Sequence, residues 1–246
     1  MSDFQMPSKD EKAEFVRQNF DIISGKYDLF NDLNTFFMHR LWKNKVAGLV
    51  NSSAGGKRIT CLDLCCGTGD ISLRLNKISA SEKVFAVDFS DKMLDIARHR
   101  LSGFSTCTVQ QGDATALRDF RDETLDAVTV GFGLRNVFDL PLALSEIKRV
   151  LKPGGIFINL DVGKVPYPVI RFFADFYFFK IVPLLGYLIW GGKNKMFDYL
   201  PVSSLDYPDQ DNLKKLMESG GFIDVHYENF VFGNVAMHVG YKPKVG

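Results

Sequence analysis

The 246-residue sequence lacks an excess of charge of either sign and has few cysteines. Thirty Lys and Arg residues stand against 29 Asp and Glu residues, so the formal net charge is +1 and no overall field attracts the backbone of a nucleic acid. The four cysteines do not form the repeated CxxC pairs of a zinc site. We therefore expect no nucleic acid partner and no metal. The cysteines are expected to be small buried thiols in a reducing compartment.

A secretory signal is also missing from the first fifteen residues, which are polar and acidic where a signal would be basic and then apolar. This pattern predicts a cytoplasmic chain. What the sequence does contain is 46% hydrophobic residues, far more than a disordered chain has. No repeat or low-complexity linker divides it, so we expect residues 1–246 to form a single domain.

Five short apolar runs alternate with helical patterns in the middle of the sequence, as is typical of a parallel sheet covered by helices. We predict strands at residues 58–64, 83–88, 106–110, 125–131 and 155–160. Near the C-terminus, two β-type runs separated by Val231 to Asn234 predict an antiparallel hairpin at one edge of the sheet. The fold class is therefore α/β, with a doubly wound and mostly parallel sheet.

Local signals also predict where two of the helices begin and end. Ser90 is an N-cap candidate, and the residues after it place Met93 and Ala97 on one apolar face. The segment KPGG at 152–155 is expected to end the preceding helix, because Pro cannot continue it and Gly allows the turn.

Two segments stand outside the alternating pattern. Residues 1–50 predict a helical lid, and residues 165–200 predict an aromatic helical insertion. The insertion is not expected to span a membrane, because it is interrupted by Arg171, Asp175, Lys180 and Pro183. It either packs on the sheet as an amphipathic helix or lines a pocket or interface for an apolar molecule.

The first strand leads into a glycine-rich turn, CCGTGD, and then into a helix, which lets an anionic group meet free backbone N–H groups. Gly67 and Gly69 match the central glycines of a GxGxxG turn. Ser72 stands where dinucleotide-binding proteins place Gly or Ala, which disfavours NAD. Asp88 closes the second strand 21 residues after Gly67 (88 − 67), where a carboxylate can accept both hydroxyl hydrogens of a ribose.

Asp113 and Ala114 follow the third strand, at the edge of the sheet where α/β proteins bind ligands. Asp113 could accept a hydrogen from the adenine amino group, while the Ala114 N–H reaches a ring nitrogen. The plainer alternative for Asp113 is a helix cap. Together with Thr68 and Asp88, the pair predicts a pocket for an adenosine whose other end carries a carboxylate and no phosphate.

Several motifs resemble those of the class I S-adenosylmethionine-dependent methyltransferases, namely LDLCCGTGD, AVDFS, GDA and RVLKPGG. More narrowly, the sequence resembles the ubiquinone/menaquinone biosynthesis C-methyltransferase family in YDLFNDLNTFFMHRLW at 27–42, GFGLRNV at 131–137, YPDQDNLKKLMESGGF and the terminal AMHVGYKP. The resemblance covers nearly the whole chain. It implies a seven-stranded Rossmann-like sheet and S-adenosylmethionine as the cofactor.

The same resemblance implies a lipidic quinol as the methyl acceptor, either demethylmenaquinol or 2-methoxy-6-polyprenyl-1,4-benzoquinol. Peripheral contact with a membrane and a homodimer are further arrangements that we consider. The sequence departs from the family pattern where Phe30 replaces Met, Asp161 replaces Glu and Phe197 replaces Tyr. These positions belong to the expected substrate side.

Methylation of a ring carbon needs phenolate character, and a phenol with a pKa near 10 is about three units short of ionisation at neutral pH. If the resemblance holds, Arg135 stabilises this charge, and Asn136 orients a hydroxyl or a water. His39 and Tyr27 are candidates for accepting or relaying the proton. The plainer alternatives are a surface ion pair for Arg135 and a packing role for His39 beside Trp42.

Three other functions fit parts of the pattern. A methyltransferase could act on another small or lipidic acceptor, and a non-catalytic partner in a biosynthetic complex could bind S-adenosylmethionine without transferring its methyl group. An NAD oxidoreductase is the third, which Ser72 and the pair Asp113 and Ala114 disfavour.

Overall fold

Seven strands form one sheet in the computed structural model, which describes residues 9–192 and 195–244. The order across the sheet is β3-β2-β1-β4-β5-β7-β6. The strands are β1 (Ile59–Leu64), β2 (Ser81–Asp88), β3 (Cys107–Gln111), β4 (Leu125–Gly131), β5 (Leu151–Val162), β6 (Ile223–Phe230) and β7 (Val235–Tyr241).

The first five strands pair in parallel, and β7 pairs antiparallel with both β5 and β6. A short turn, Val231–Gly233, joins the last two strands, which confirms the predicted edge hairpin and the predicted fold class. After β3 the chain crosses to the other half of the sheet, where β4 pairs with β1, so the strand order reverses between β1 and β4. A crevice opens at such a switch point, beyond the carboxyl ends of the strands.

Helices occupy both faces of the sheet and the region above its carboxyl edge. They are α1 (Lys9–Ile23), α2 (Tyr27–Asn34), α3 (Met38–Ser53), α4 (Asp70–Leu75), α5 (Asp91–Leu101), α6 (Leu140–Val150), α7 (Pro168–Phe176), α8 (Val182–Trp190), α9 (Lys195–Asp206) and α10 (Gln210–Ser219). The Ser90 cap is confirmed, because its hydroxyl accepts the Met93 N–H at 3.2 Å.

The helix ends before KPGG as predicted, but the fifth strand, which we expected to begin at residue 155, begins earlier. Helix α6 ends at Val150, and residues 152–155 already belong to β5. Leu125 pairs with Leu151 and Ala127 pairs with Ile156, so four residues of β5 lie opposite one residue of β4. A bulge of this kind tolerates a Pro that has no N–H to donate.

Apolar side chains fill both faces of the sheet, with Leu62 and Phe157 in one layer and Cys61 and Ile158 in the other. A third cluster lies above the carboxyl edge and joins the two added segments. We call it the lid cluster; its buried members are Val16, Phe20, Ile23, Phe30, Met93, Val182, Phe197, Tyr199 and Leu200. Residues of the predicted N-terminal lid therefore pack directly on residues of the predicted insertion.

One continuous helix of 23 residues, Pro168–Trp190, contains α7, a π-helical turn (Tyr177–Ile181) and α8. By length and composition alone it could cross a membrane, although the sequence argument counted its interruptions against a span. Pro183 does not break the helix, because it lies in the first turn of α8 directly after the π-turn. The second half packs against α2 and α9, so the helix borders the region above the sheet.

Candidate active site

A cavity of about 520 Å³ opens above the carboxyl edge of the sheet. It brings together residues from the first three strand ends, the turn after β4, the N-terminal helices and the insertion. Nine of the ten predicted site residues line it: Tyr27, His39, Gly67, Thr68, Asp88, Asp113, Ala114, Arg135 and Asn136.

Gly69, the tenth predicted residue, does not line the cavity. It precedes α4 with a φ of +79°, and a Cβ placed there would lie 3.0 Å from a methyl carbon of Leu101 and 3.2 Å from the Cβ of Ala97. Gly is therefore required by the left-handed backbone and by close packing against α5. Its role is to let the loop turn, and contact with a ligand is left to Gly67 and Thr68.

The Asp88 carboxylate holds the loops after β1 and β2 together in the cavity wall. One oxygen accepts the Gly67 N–H at 2.8 Å, and the other accepts the Ser90 N–H at 3.0 Å. Burial raises the pKa of Asp88 despite these two backbone hydrogen bonds. Carboxylate oxygens have about four acceptor sites between them, so Asp88 can still accept a hydroxyl hydrogen of a ligand.

Asp113 has a structural task as well as a place in the cavity wall. One of its oxygens accepts both the N–H and the hydroxyl of Thr115 at 2.8 Å, as in a turn rather than a helix cap. Ala114 lies beside it and also lines the cavity. The helix-cap alternative is wrong, because no helix lies between β3 and β4, where every residue is described. The second carboxylate oxygen of Asp113 is the one available to a ligand.

Thr68 links the glycine-rich loop to the N-terminal helices. Its hydroxyl donates to Asp28 of α2 at 2.7 Å and accepts from Arg100 of α5 at 3.1 Å. Arg100 and Asp28 also form an ion pair. The polar end of the cavity is therefore bordered on one side by the predicted lid.

Arg135 lies in a short 3-10 turn after β4 and is buried. Its Nη1 donates to Asp161 at 2.6 Å, so the ion-pair alternative is correct, but the pair lies in the interior rather than on the surface. Burial works to lower the pKa of Arg135, and the charge of Asp161 outweighs it, so the guanidinium stays charged. Asp161 stands where the family pattern has Glu, and its carboxylate forms the ion pair with Arg135.

Two phenols lie near this cation. Burial raises the pKa of Tyr27, and the charge of Arg135 only partly opposes that effect. The Tyr199 hydroxyl donates to the Asn136 side-chain oxygen at 3.2 Å, and burial raises the pKa of Tyr199 to about 12. Both phenols therefore stay protonated at neutral pH, so Tyr27 can relay a proton but does not act as a phenolate base. Tyr199 orients the Asn136 amide.

His39 is buried on α3 and contacts an acid from α2. Its Nε2 lies 2.8 Å from an Asp32 oxygen, and its Nδ1 lies 3.9 Å from Asp70. Burial lowers the pKa of His39, and nearby Lys43 lowers it further, so the imidazole is neutral at pH 7. It is thus a polar member of the cavity wall rather than a packing residue alone.

Several cavity residues escaped the sequence analysis. Asp63 of β1 accepts the Ser72 hydroxyl at 2.6 Å and the Thr129 hydroxyl at 3.1 Å, and burial raises its pKa to about 6. The sequence did contain a signal for Asp63. It is an acid inside the apolar run LDL, directly before the glycine-rich turn, and a buried acid needs a polar partner. Lys43 and Asp70, which bond at 2.9 Å, lay too far apart in sequence to be paired.

The opposite end of the cavity is apolar and open. Four exposed aromatic residues line it; we call them the apolar mouth, and they are Phe36, Phe138, Phe173 and Phe232. Helix α7 contributes one of its faces here, and the Tyr177 hydroxyl donates to the Asn34 carbonyl at 2.8 Å. The insertion therefore lines a pocket, as one of the two sequence interpretations expected.

At the polar end Asp63, Asp88 and Asp113 all face one space, which suits a cationic nucleoside better than a phosphate. A sulfonium nucleoside with an amino group meets this requirement, because both of these groups are cationic. The doubly wound sheet and this site together define a class I S-adenosylmethionine-dependent methyltransferase.

Comparison with known proteins places the chain more narrowly. It belongs to the ubiE/COQ5 methyltransferase family, whose model matches residues 5–242. The family resemblance inferred from the motifs is thereby confirmed.

Two curated relatives match over almost their whole length. The demethylmenaquinone methyltransferase of Leptospira interrogans is 57% identical over 246 residues, which is 99% of this chain and 98% of the relative. That of Staphylococcus haemolyticus is 38% identical over 240 residues, or 97% and 98% of the two chains. A SAM-dependent methyltransferase structure from Thermotoga maritima is similar with a TM-score of 0.64, at 19% identity over 92% of this chain and 99% of that one. This last likeness concerns the fold.

We expect Asp88→Asn to weaken the binding of S-adenosylmethionine about 10- to 100-fold, because a neutral amide loses one charge-assisted hydrogen bond of roughly 1.5 to 3 kcal/mol. Isothermal titration calorimetry measures the dissociation constant directly. Asp95→Asn changes an exposed acid of α5 and serves as the matched control. Equal affinity of Asp88→Asn and wild type would remove Asp88 from the cofactor site.

Proposed function

We propose that this chain transfers a methyl group from S-adenosylmethionine to a ring carbon of demethylmenaquinol, a step of menaquinone biosynthesis. Support comes from the full-length relatives, which carry the name demethylmenaquinone methyltransferase at 57% and 38% identity. The observation that carries the proposal is the continuity of the cavity, which runs from the acidic end past Arg135 to the apolar mouth. A quinol ring fits beside the cation, and its prenyl tail leaves through the mouth.

When bound, the cofactor supplies an electrophilic methyl group on a sulfonium. The chain's own residues have to favour phenolate character in the acceptor, which costs about 4 kcal/mol at neutral pH for a phenol of pKa near 10. Arg135 places a permanent cation at the cavity wall. The Asn136 amide oxygen accepts from Tyr199, and its nitrogen donates one hydrogen to the Phe132 carbonyl at 3.4 Å. Its second N–H is left to donate to a phenolate oxygen.

The two added segments exclude water from this region. Described residues of both segments meet in the lid cluster, and their aromatic side chains Phe30, Phe173 and Tyr177 line the same cavity as Arg135. Apolar side chains around this region strengthen the attraction between the cation and a developing phenolate, because they lower the local dielectric constant. We therefore assign residues 1–50 as a lid and residues 165–200 as the acceptor segment of a single methyltransferase domain.

An assay with two reduced acceptors tests the function. We expect the purified chain to methylate demethylmenaquinol, with mass spectrometry showing menaquinol and S-adenosylhomocysteine in equal amounts. 2-Methoxy-6-polyprenyl-1,4-benzoquinol is the competing substrate and would place the chain in ubiquinone biosynthesis as well. Cofactor binding without methylation of either quinol would instead favour another acceptor or a non-catalytic partner.

We expect Arg135→Lys to lower kcat at least 100-fold while S-adenosylmethionine binds with near-normal affinity, because one ammonium cannot both pair with Asp161 and face the phenolate. Arg135→Ala should lose as much activity, but it also leaves a buried carboxylate without its partner and so costs stability, about 3 to 5 kcal/mol.

Arg98→Lys is the matched control, since Arg98 forms an exposed ion pair with Asp95 on α5. Single-turnover kinetics at saturating cofactor separate the chemical step from binding. Retention of the wild-type rate in Arg135→Lys would contradict the role of the guanidinium.

We also propose that the chain lies on the membrane surface rather than spanning the membrane. Ile170, Phe173 and Ala174 line the cavity, whereas Phe172 and Phe176 point outward and are 69% and 56% exposed. A prenyl tail leaving the apolar mouth would meet lipid beside this outer face. Spanning is disfavoured because α8 is packed into the protein through buried Val182, Pro183 and Gly186.

Exchange of Phe172 or Phe176 for Ser should weaken binding to phospholipid vesicles by about tenfold or more for each residue, because burying a Phe side chain contributes roughly 1.5 to 3 kcal/mol. Vesicle sedimentation measures the partition coefficient. Ile223→Ser, an exposed apolar position at the start of β6 and opposite the C-terminal Tyr241, is the control. Unchanged partition of the two Phe variants would refute this placement.

A further inference from the structure

His39 lines the cavity, and one of its two ring nitrogens is buried without a hydrogen-bond partner among the described residues. The residue is 4% exposed, and Asp32 contacts its Nε2. The nitrogen in question is therefore Nδ1. A buried polar atom without a partner is costly, so it is kept where a ligand or a reacting group satisfies it.

Asp32 is held in place as a carboxylate. Arg40 binds it with two hydrogen bonds, from Nε at 2.7 Å and from Nη2 at 2.6 Å. Burial works to raise the pKa of Asp32, but the hydrogen bonds from Arg40 and His39 outweigh it and hold the pKa below its usual range. A carboxylate only accepts hydrogen bonds, so the hydrogen between the two residues belongs to His39 Nε2.

The lone pair of the neutral ring therefore lies on Nδ1. The charged groups around the ring come from three helices: Asp32 from α2, Arg40 and Lys43 from α3, and Asp70 with its partner Arg74 from α4. Lys43 and Arg74 both bind Asp70, which lies 3.9 Å from Nδ1, beyond hydrogen-bond distance. Asp70 is therefore already engaged by two cations.

We propose that Asp32 is a positioning residue that fixes the tautomer of His39, so that Nδ1 accepts the proton lost by the methylated ring carbon. This inference rests on the proposed function. The ring carbon bonds to the methyl carbon while the pair of the S–C bond stays on sulfur, which leaves a dienone that still carries its ring hydrogen. That hydrogen passes to Nδ1 as a proton, and the C–H electron pair restores the aromatic ring.

The tautomer can be measured without any methyl acceptor. Nitrogen-15 NMR of histidine-labelled protein distinguishes a protonated from a bare ring nitrogen, and His39→Gln identifies the His39 signals among those of four histidines. We expect wild type to carry its hydrogen on Nε2 at neutral pH. In Asp32→Asn the amide can donate to Nε2, which moves the hydrogen to Nδ1. A wild-type ring that is protonated on Nδ1 would overturn the proposal.

Kinetics with a ring-deuterated quinol test the consequence. We expect Asp32→Asn to lower kcat about 100-fold with little change in KM, because the correct base is lost. A primary isotope effect should appear or increase in this variant, since proton removal becomes slower than methyl transfer. The acid limb of the pH profile should also move to lower pH, because the hydrogen bond that His39 donates to Asp32 raises the pKa of His39 and is lost in the variant.

Two variants control for a structural effect. Asp122→Asn removes an exposed acid that pairs with Arg149 and should leave kcat unchanged. Asp32→Glu keeps a carboxylate and should restore the Nε2–H tautomer and much of the rate, even if Asp32→Asn folds poorly. Wild-type turnover with no change of isotope effect in Asp32→Asn overturns the role of Asp32, whereas failure of wild type on the quinol overturns the proposed function instead.

Discussion

The Asp88 carboxylate is the point from which the arrangement of the site is built. It accepts N–H groups from both Gly67 and Ser90, so the loops after β1 and β2 are fixed to each other. Ser90 in turn caps α5 and donates its hydroxyl to Asp21 of α1 at 2.6 Å. A single buried acid thus connects the sheet edge, the first loop and helix α1, because each hydrogen bond positions the donor of the next one.

The N-terminal helices and the insertion pack on each other through aromatic side chains. Phe30 of α2 and Phe197 of α9 lie 5.3 Å apart between ring centroids, and Trp190 lies 5.1 Å from Phe197. Phe30 and Phe197 are two of the positions at which the sequence departs from the family pattern. Because they contact each other, the two departures belong to one repacked interface above the substrate region.

Features carried by local patterns could be predicted from the sequence. The five central strands, the edge hairpin and the Ser90 cap each depend on residues close together in the chain. Partners of the site residues could not, because Asp161 meets Arg135 across 26 positions and Tyr199 meets Asn136 across 63. The start of β5 at KPGG could not be predicted for a related reason. These residues form a bulge, and a bulge depends on the neighbouring strand β4, which a local pattern does not contain.

The π-turn at Tyr177–Ile181 gives the insertion two differently directed halves. Each residue of an α-helix advances about 100° around the axis, so a wider turn offsets everything that follows it. Gly186 faces the Phe197 ring so closely that a Cβ there would lie 2.4 Å from it. Deleting one residue from the π-turn would rotate Gly186 away from the Phe197 ring, whereas the orientation of α7 would not change. The packing of α8 therefore depends more on the number of residues in the π-turn than on their identity.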